Sequence, residues 1–230
     1  SLHDALPIST NDGGTGMLTA LGYEFLDAKG KPVGPGGQCL EKIASVSDKN
    51  RIPALDECVF QIACDVENPL CGPHGATYIY GPQKGVTEDL LPVLDRGMNN
   101  YGHIAEAFTG KSTMSTAGSG ASGGLGFAFV TFLNGTLKSG TDLILEAIAL
   151  ETAIEGADFV ITGEGRLDRQ TAMGKGPVGV ARLGKKHGAK TIALAGALTD
   201  GAAACNDAGI DGYFSILSSV CTLEEIGRAH

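Results

Sequence analysis

The chain has 230 residues, 43% hydrophobic and 19% charged, an ordinary globular balance that fits one large domain or two small ones. Its net charge of −9 argues against a nucleic-acid binder, which needs a basic face, and no apolar run approaches the ~18 residues of a membrane span. Glycine stands at 35 residues without a G-X-Y period, which excludes collagen and points to many tight turns and close backbone approaches.

The opening SLHDALPI has no basic region and too short an apolar core for a signal peptide. Residues 11–21 begin with NDGG and run into a short helical pattern, where Asn11 and Asp12 before paired glycines are ordinary helix-entry chemistry. Residues 59–64, VFQIAC, read as a buried strand. CDVENPLCGP follows, with Asp65 at the strand end and Asn68 before a proline; Asp65 is a candidate base or metal ligand, and equally a turn-starting Asp. GPQKGVT, residues 81–87, is a small Gly/Lys loop. Residues 89–108 form a long helical pattern with Pro92 in its first turn, where proline is tolerated. The Gly/Ser-rich residues 110–124 serve either as a linker or as a backbone-donor loop for an anion. Residues 123–133 are apolar nearly all round and predict a buried helix, and residues 141–154 carry apolar side chains at helical spacing.

The last third is the most regular. Short apolar runs at 159–161, 191–195 and 213–216 alternate with helical patterns at 176–187 and 201–208. Lys185, Lys186 and His187 followed by Gly188 form a helix stop signal. The spacing is that of right-handed βαβ crossovers, so a parallel, doubly wound unit is expected. The cysteines, Cys39, Cys58, Cys64, Cys71, Cys205 and Cys221, show no C-x2-C spacing and are expected to be free, buried thiols in a reducing cytosol. His74, His103 and His187 have no ligand spacing.

ITGEGRLDRQTAMGKGPVGV, residues 161–180, carries the chemistry. It misses the P-loop pattern, because Arg169 stands at the first glycine position and Gly176 follows Lys175. It misses the dinucleotide fingerprint too: Gly163 and Gly165 fit, but the third position is Asp168. With a strand ending at Thr162 and a helix starting near Gly176, the stretch lies where open α/β sheets gather ligands. Gly163 and Gly165 allow close backbone approach, Glu164 and Asp168 are hard oxygen donors for Mg²⁺, Lys175 suits a phosphate and Arg166 a carboxylate or phosphate. Phosphoryl transfer uses this mixture. Composition alone equally describes a solvated loop with internal salt bridges.

ADFVITGEGRLDRQTAMGKGPVGVA resembles the signature of the type I glycerate kinases. TNDGGTGMLTALGYEFLDAKG, IACDVENPLCGPHGATYIYGPQKG and SGASGGLGFAF resemble three further segments of that family in the same order, and the likeness covers about residues 9–220. The resemblance implies two α/β domains, one flavodoxin-like with a parallel sheet and the other inserted into it, with the active site in the cleft between them. Residues 1–153 would be mostly the inserted domain and 154–230 the C-terminal half of an incomplete flavodoxin-like domain. It implies ATP- and Mg²⁺-dependent phosphorylation of D-glycerate, leaning to 2-phosphoglycerate, in the cytoplasm, with no nucleic acid or membrane partner and a homodimer left open. Members of the family are longer and carry earlier motifs that this chain lacks. Residues 1–8 and 225–230 do not resemble them and read as foreign, so the chain is expected to be an internal fragment.

The site set placed on these motifs is catalytic Asp65, Arg166, Asp168 and Lys175. Glu164 and Asp168 hold the metal. Gly163, Gly165, Lys175, Asn11, Asp12 and Asn68 face the nucleotide or substrate. A nucleotide-dependent oxidoreductase and a non-catalytic small-molecule-binding module are the rival readings.

Overall fold

The computed structural model describes residues 10–217, and the chain divides into two compact units, residues 1–139 and 140–230. The chain termini expected to be foreign, residues 1–8 and 225–230, and Cys221 lie outside the described residues.

In the first unit, helix α1 (Thr15–Ala20) leads into an antiparallel pair, β1 (Glu24–Leu26) and β2 (Ser45–Ser47), with Phe25 opposite Val46. A second pair, β3 (Gln61–Ala63) and β4 (Thr136–Lys138), is parallel. Between them run α2 (Ala76–Tyr80), α3 (Leu91–Thr109) and α4 (Ala121–Phe132). The long helix expected at 89–108 is α3, with Pro92 in its first turn, where the missing N–H costs no intrahelical bond. It buries Gly97, Met98, Tyr101, Gly102 and Ala105, a stripe at three- and four-residue spacing. Tyr101 is fully buried and meets Phe25, Phe127 and Phe132, with ring centroids 5.5 to 6.5 Å away.

Two expectations here need correction. The strand at 59–64 exists as β3 but is not buried: Val59 is 87% exposed, and Gln61 and Ala63 also face solvent. β3 belongs to a two-stranded sheet, so only one of its faces is covered. The apolar helix α4 does not start cleanly at Gly123, because Ser122, Gly123 and Gly124 all have left-handed backbone at φ 52, 74 and 91°.

The second unit begins with α5 (Gly140–Ala147) and α6 (Leu150–Ile154). The single helix expected over 141–154 is broken by Ala149 at φ 51°, a conformation that a regular helix excludes. Thereafter come β5 (Phe159–Leu167), α7 (Gly176–Lys186), β6 (Lys190–Leu198), α8 (Ala204–Asp207) and β7 (Gly212–Ser215). The strands form one sheet in the order β5-β6-β7, parallel throughout, as the sequence predicts. The helix stop after α7 is present, with Gly188 at φ 79°. α7 and α8 pack on one sheet face over Leu167, Val178, Ala181, Ala193, Ala195 and Cys205, mostly small side chains that let helix and sheet approach closely. On the sheet, Phe159, Ile161, Phe214 and Ile216 are 58% to 68% exposed.

β5 does not stop at Thr162. It continues through Gly163, Glu164, Gly165 and Arg166 to Leu167, paired with β6 in register Gly163↔Leu194, Glu164↔Ala195 and Arg166↔Ala197. Nine residues of β6 offer partners that far, and pairing overrides the poor strand propensity of the glycines. Among the described cysteines, Cys39, Cys58, Cys64, Cys71 and Cys205 are free; Cys205 is buried as expected, whereas Cys58 is exposed. No described helix is long and apolar enough to cross a membrane.

Candidate active site

Extension of β5 carries its polar residues to the carboxyl end of the sheet, where the chain turns towards α7. Leu167 is fully buried and pins the turn to the core. Asp168 then closes it. Its Oδ1 accepts the N–H of Gln170 at 2.8 Å and of Thr171 at 3.1 Å, an Asx-type turn. Its Oδ2 accepts Arg166 Nε at 3.2 Å and Nη2 at 3.1 Å. The Thr171 N–H, then those of Gln170 and the Arg166 guanidinium, hold the Asp168 carboxyl below the usual carboxylate range.

Thr171 links the two acids. Its side chain is buried, its hydroxyl donates to Glu164 Oε1, and its Oγ1 accepts the Asp168 N–H at 3.3 Å. Lys175 caps the N-terminus of α7 in extended conformation, with its exposed ammonium donating to Gln170 Oε1 at 3.1 Å. Gly163 sits so close to β6 that a Cβ would lie 2.6 Å from the Leu194 carbonyl oxygen, whereas a Cβ on Gly165 would meet open space. The closeness at Gly163 therefore serves sheet pairing, and Gly165 leaves room above the strand. Within this unit the structure brings Glu164, Arg166, Asp168 and Lys175 into one hydrogen-bonded array through Thr171 and Gln170.

The low carboxyl pKa has a testable sign. A depressed folded value means that the stabilisation is present above the unfolded aspartate pKa of about 4 and is lost as pH falls through the folded value. Carbon-detected NMR of Asp168 is expected to give a midpoint below that of an ordinary aspartate, and Arg166→Met is expected to move it upward. An unshifted midpoint refutes the network.

The remaining predicted residues lie in the first unit. Asp12 serves the entry to α1: Oδ1 accepts Gly14 N–H at 3.0 Å and Oδ2 accepts Gly16 N–H at 3.2 Å. Asn11 Nδ2 donates to Thr77 Oγ1 at 2.9 Å, and its Oδ1 is buried with no hydrogen-bond partner among the described residues. Asn68 Oδ1 accepts Tyr80 O–H at 2.6 Å, and its Nδ2 donates to the His74 carbonyl at 2.8 Å. Asp65 is exposed just after β3. Lys84, from the small Gly/Lys loop, donates to the Thr10 carbonyl at 2.7 Å, and burial pushes its pKa down.

Sequence reasoning missed Thr77, Tyr80, Gln170 and Thr171 as parts of these networks. A threonine or glutamine between charged residues carries no signal until the turn around it is known. Among the described residues no group of three or more His, Cys, Asp or Glu side chains is placed to hold a metal.

A parallel α/β unit that presents carboxylates, an arginine and a lysine at the carboxyl end of its first strand has the parts of a phosphotransferase site. The model of the glycerate kinase family matches residues 8–229, and the chain belongs to that family. It is 44% identical over 217 residues to a glycerate kinase of Bacillus subtilis (strain 168), covering 94% of this chain and 57% of that protein. It is 42% identical over 220 residues to the glycerate 2-kinase of Escherichia coli (strain K12), covering 96% of this chain and 58% of that protein. A crystal structure from Salmonella typhimurium LT2, assigned as glycerate kinase 2, superposes with a TM-score of 0.78 at 40% identity, over 94% of this chain and 56% of the other. The chain thus spans somewhat more than half the length of the relatives it matches. Membership of this family leaves the oxidoreductase reading without support.

Proposed function

We propose that the protein to which this sequence belongs transfers phosphate from ATP to D-glycerate, giving 2-phosphoglycerate. The observation that carries the reading is the array at the end of β5, in which one turn holds Glu164, Arg166, Asp168 and Lys175 together. Transfer of a phosphoryl group needs positioning and charge stabilisation more than covalent chemistry, and these side chains supply both. Lys175, at the mouth of α7, meets phosphate oxygens with help from the helix N-terminus. Arg166 orients a phosphate or the glycerate carboxylate with its remaining N–H groups.

Mg²⁺ commonly takes one or two protein carboxylates and fills its other positions with water and substrate phosphates. Glu164 and Asp168 fit that pattern. Asp168 already accepts three kinds of donor and Glu164 accepts the Thr171 hydroxyl, and these two carboxylates would hold the ion directly or through water. The metal would neutralise charge on the phosphates. In the first unit Asp65 is the candidate base for the glycerate hydroxyl, and Asn11, Asp12 and Asn68 shape the backbone around the ligand. The working site is soluble and cytoplasmic in this reading, with a homodimer as the candidate assembly and residues 1–153 and 154–230 as the two domains.

The test is ADP release coupled to D-glycerate addition, measured on this chain and on a protein of the relatives' full length that carries it, with phosphorus NMR to identify the product. Full-length protein that releases no ADP on addition of D-glycerate refutes the proposal, and a 3-phosphate product refutes its regiochemistry.

A further inference from the structure

Three segments far apart in sequence meet inside the first unit. Lys84 ends a single 3-10 turn, Pro82–Lys84, and its ammonium reaches back 74 positions to the Thr10 carbonyl. The left-handed residues Ser122, Gly123 and Gly124 wrap the same place: Gly123 accepts the Gly13 N–H at 2.9 Å. A Cβ on Gly123 would lie 2.3 Å from the Thr10 oxygen, 2.8 Å from Lys84 Nζ and 3.0 Å from Asn11 Cα. Ser122 pays for this path, since a non-glycine residue in left-handed backbone costs about 1 kcal/mol or more.

The cradle has mismatched polarity. Lys84 is half-buried, and its bonded acceptor among the described residues is a neutral carbonyl. The nearby Asp12 carboxylate is committed to Gly14 and Gly16 N–H groups. Beside it, Asn11 holds a buried amide oxygen without a donor among the described residues. Among the described residues no carboxylate is hydrogen-bonded to the partly desolvated ammonium, which feels only the charge of Asp12 nearby, and the amide oxygen has no hydroxyl or N–H donor. One small molecule that carries both a carboxylate and a hydroxyl complements the two.

We infer that the cradle formed by Thr10, Asn11, Lys84 and Ser122–Gly123 binds the carboxylate and adjacent hydroxyl of the hydroxy-acid substrate, with Lys84 as its cation and Asn11 as the hydroxyl acceptor. The inference rests on the glycerate reading above and assigns the acid-binding role to the first unit, through a lysine that the motifs of the second unit do not include. Lys84 is thereby a substrate-binding residue, separate from the phosphate-facing Lys175.

Calorimetric titration of the chain with D-glycerate, glycerol and ATP tests this. The unaltered protein is expected to bind D-glycerate and to ignore glycerol, which keeps the hydroxyls and lacks the carboxylate. Lys84→Gln is expected to weaken D-glycerate binding about tenfold or more, the worth of one charge-assisted bond, with ATP binding unchanged, and Lys84→Arg is expected to recover part of the loss. Equal D-glycerate affinity in Lys84→Gln overturns the inference alone, as does loss of ATP binding instead, which would make the cradle a nucleotide site. A parent chain that binds no D-glycerate overturns this inference, and only a full-length protein without ADP release removes the kinase reading as well. A measurement on the unaltered protein decides the matter should Lys84→Gln fail to fold. D-glycerate, and not glycerol, must protect the Lys84 amine from reductive methylation mapped by mass spectrometry, and undiminished methylation at saturating D-glycerate refutes the assignment.

Discussion

Asp168→Ala and Lys175→Ala are each expected to lower the proposed glycerate phosphorylation by about two orders of magnitude or more, the scale seen when one preorganised charge or donor is removed from a transition-state site. The measurement is ADP release in a protein of the relatives' full length, with circular dichroism to show that the fold survives. Asp168 has a structural duty as well, because its Oδ1 closes the turn on Gln170 and Thr171. Asp168→Asn separates the duties: the amide oxygen can still accept both N–H groups, while the charge that pairs with Arg166 is gone. If charge is what matters, the Asn variant is nearly as slow as the Ala variant and folds like the parent. For Lys175 no such division is needed, since its ammonium is exposed and bonds only to the Gln170 side chain among the described residues. Rates within a few-fold of the parent in both Ala variants would remove these residues from the site.

Tyr101→Ala is expected to cost about 3–5 kcal/mol of unfolding free energy, the usual range for emptying a large aromatic site in a core. The ring is fully buried in a cluster of four aromatic side chains, and its hydroxyl donates to the Gly13 carbonyl at 3.0 Å. That bond ties α3 to the glycine-rich entry of α1. Gly13 itself must remain small, since a Cβ there would lie 2.4 Å from the tyrosine ring. Tyr101→Phe keeps the packing and strands one buried carbonyl, so about 1–3 kcal/mol is expected. Urea unfolding of the two variants and the parent measures both. An Ala variant within 1 kcal/mol of the parent, on the scale of a single hydrogen bond, would mean that this cluster is not the anchor of the unit.

The second unit was the more legible part of the chain. Its strands and helices alternate at crossover spacing, and α7 carries both its basic last turn and its glycine stop, each visible in isolation. What could not be read was the true length of β5. Gly163 and Gly165 look like loop residues, and only the nine-residue partner strand β6 explains why they pair. The break at Ala149 was equally hidden, because the apolar spacing over 141–154 continues through it. In the first unit α1, α3 and α4 announced themselves and the short α2 did not, and β3 was misjudged as buried since VFQIAC is apolar whether or not a second layer covers it. The charged members of the candidate site were marked by their type. The neutral partners that hold them, Thr171 above all, depend on a turn that brings positions 164, 168 and 171 together.

The uncovered aromatic and aliphatic side chains of the three-stranded sheet have a calorimetric consequence. The heat capacity of unfolding arises from apolar surface newly wetted, and Phe159, Ile161, Phe214 and Ile216 are largely wetted before unfolding begins. In this chain taken alone the second unit is therefore expected to fall below the average of about 12–15 cal/mol/K per residue. A smaller heat capacity flattens the curve of stability against temperature, so this unit gains little from moderate cooling and is slow to approach cold denaturation.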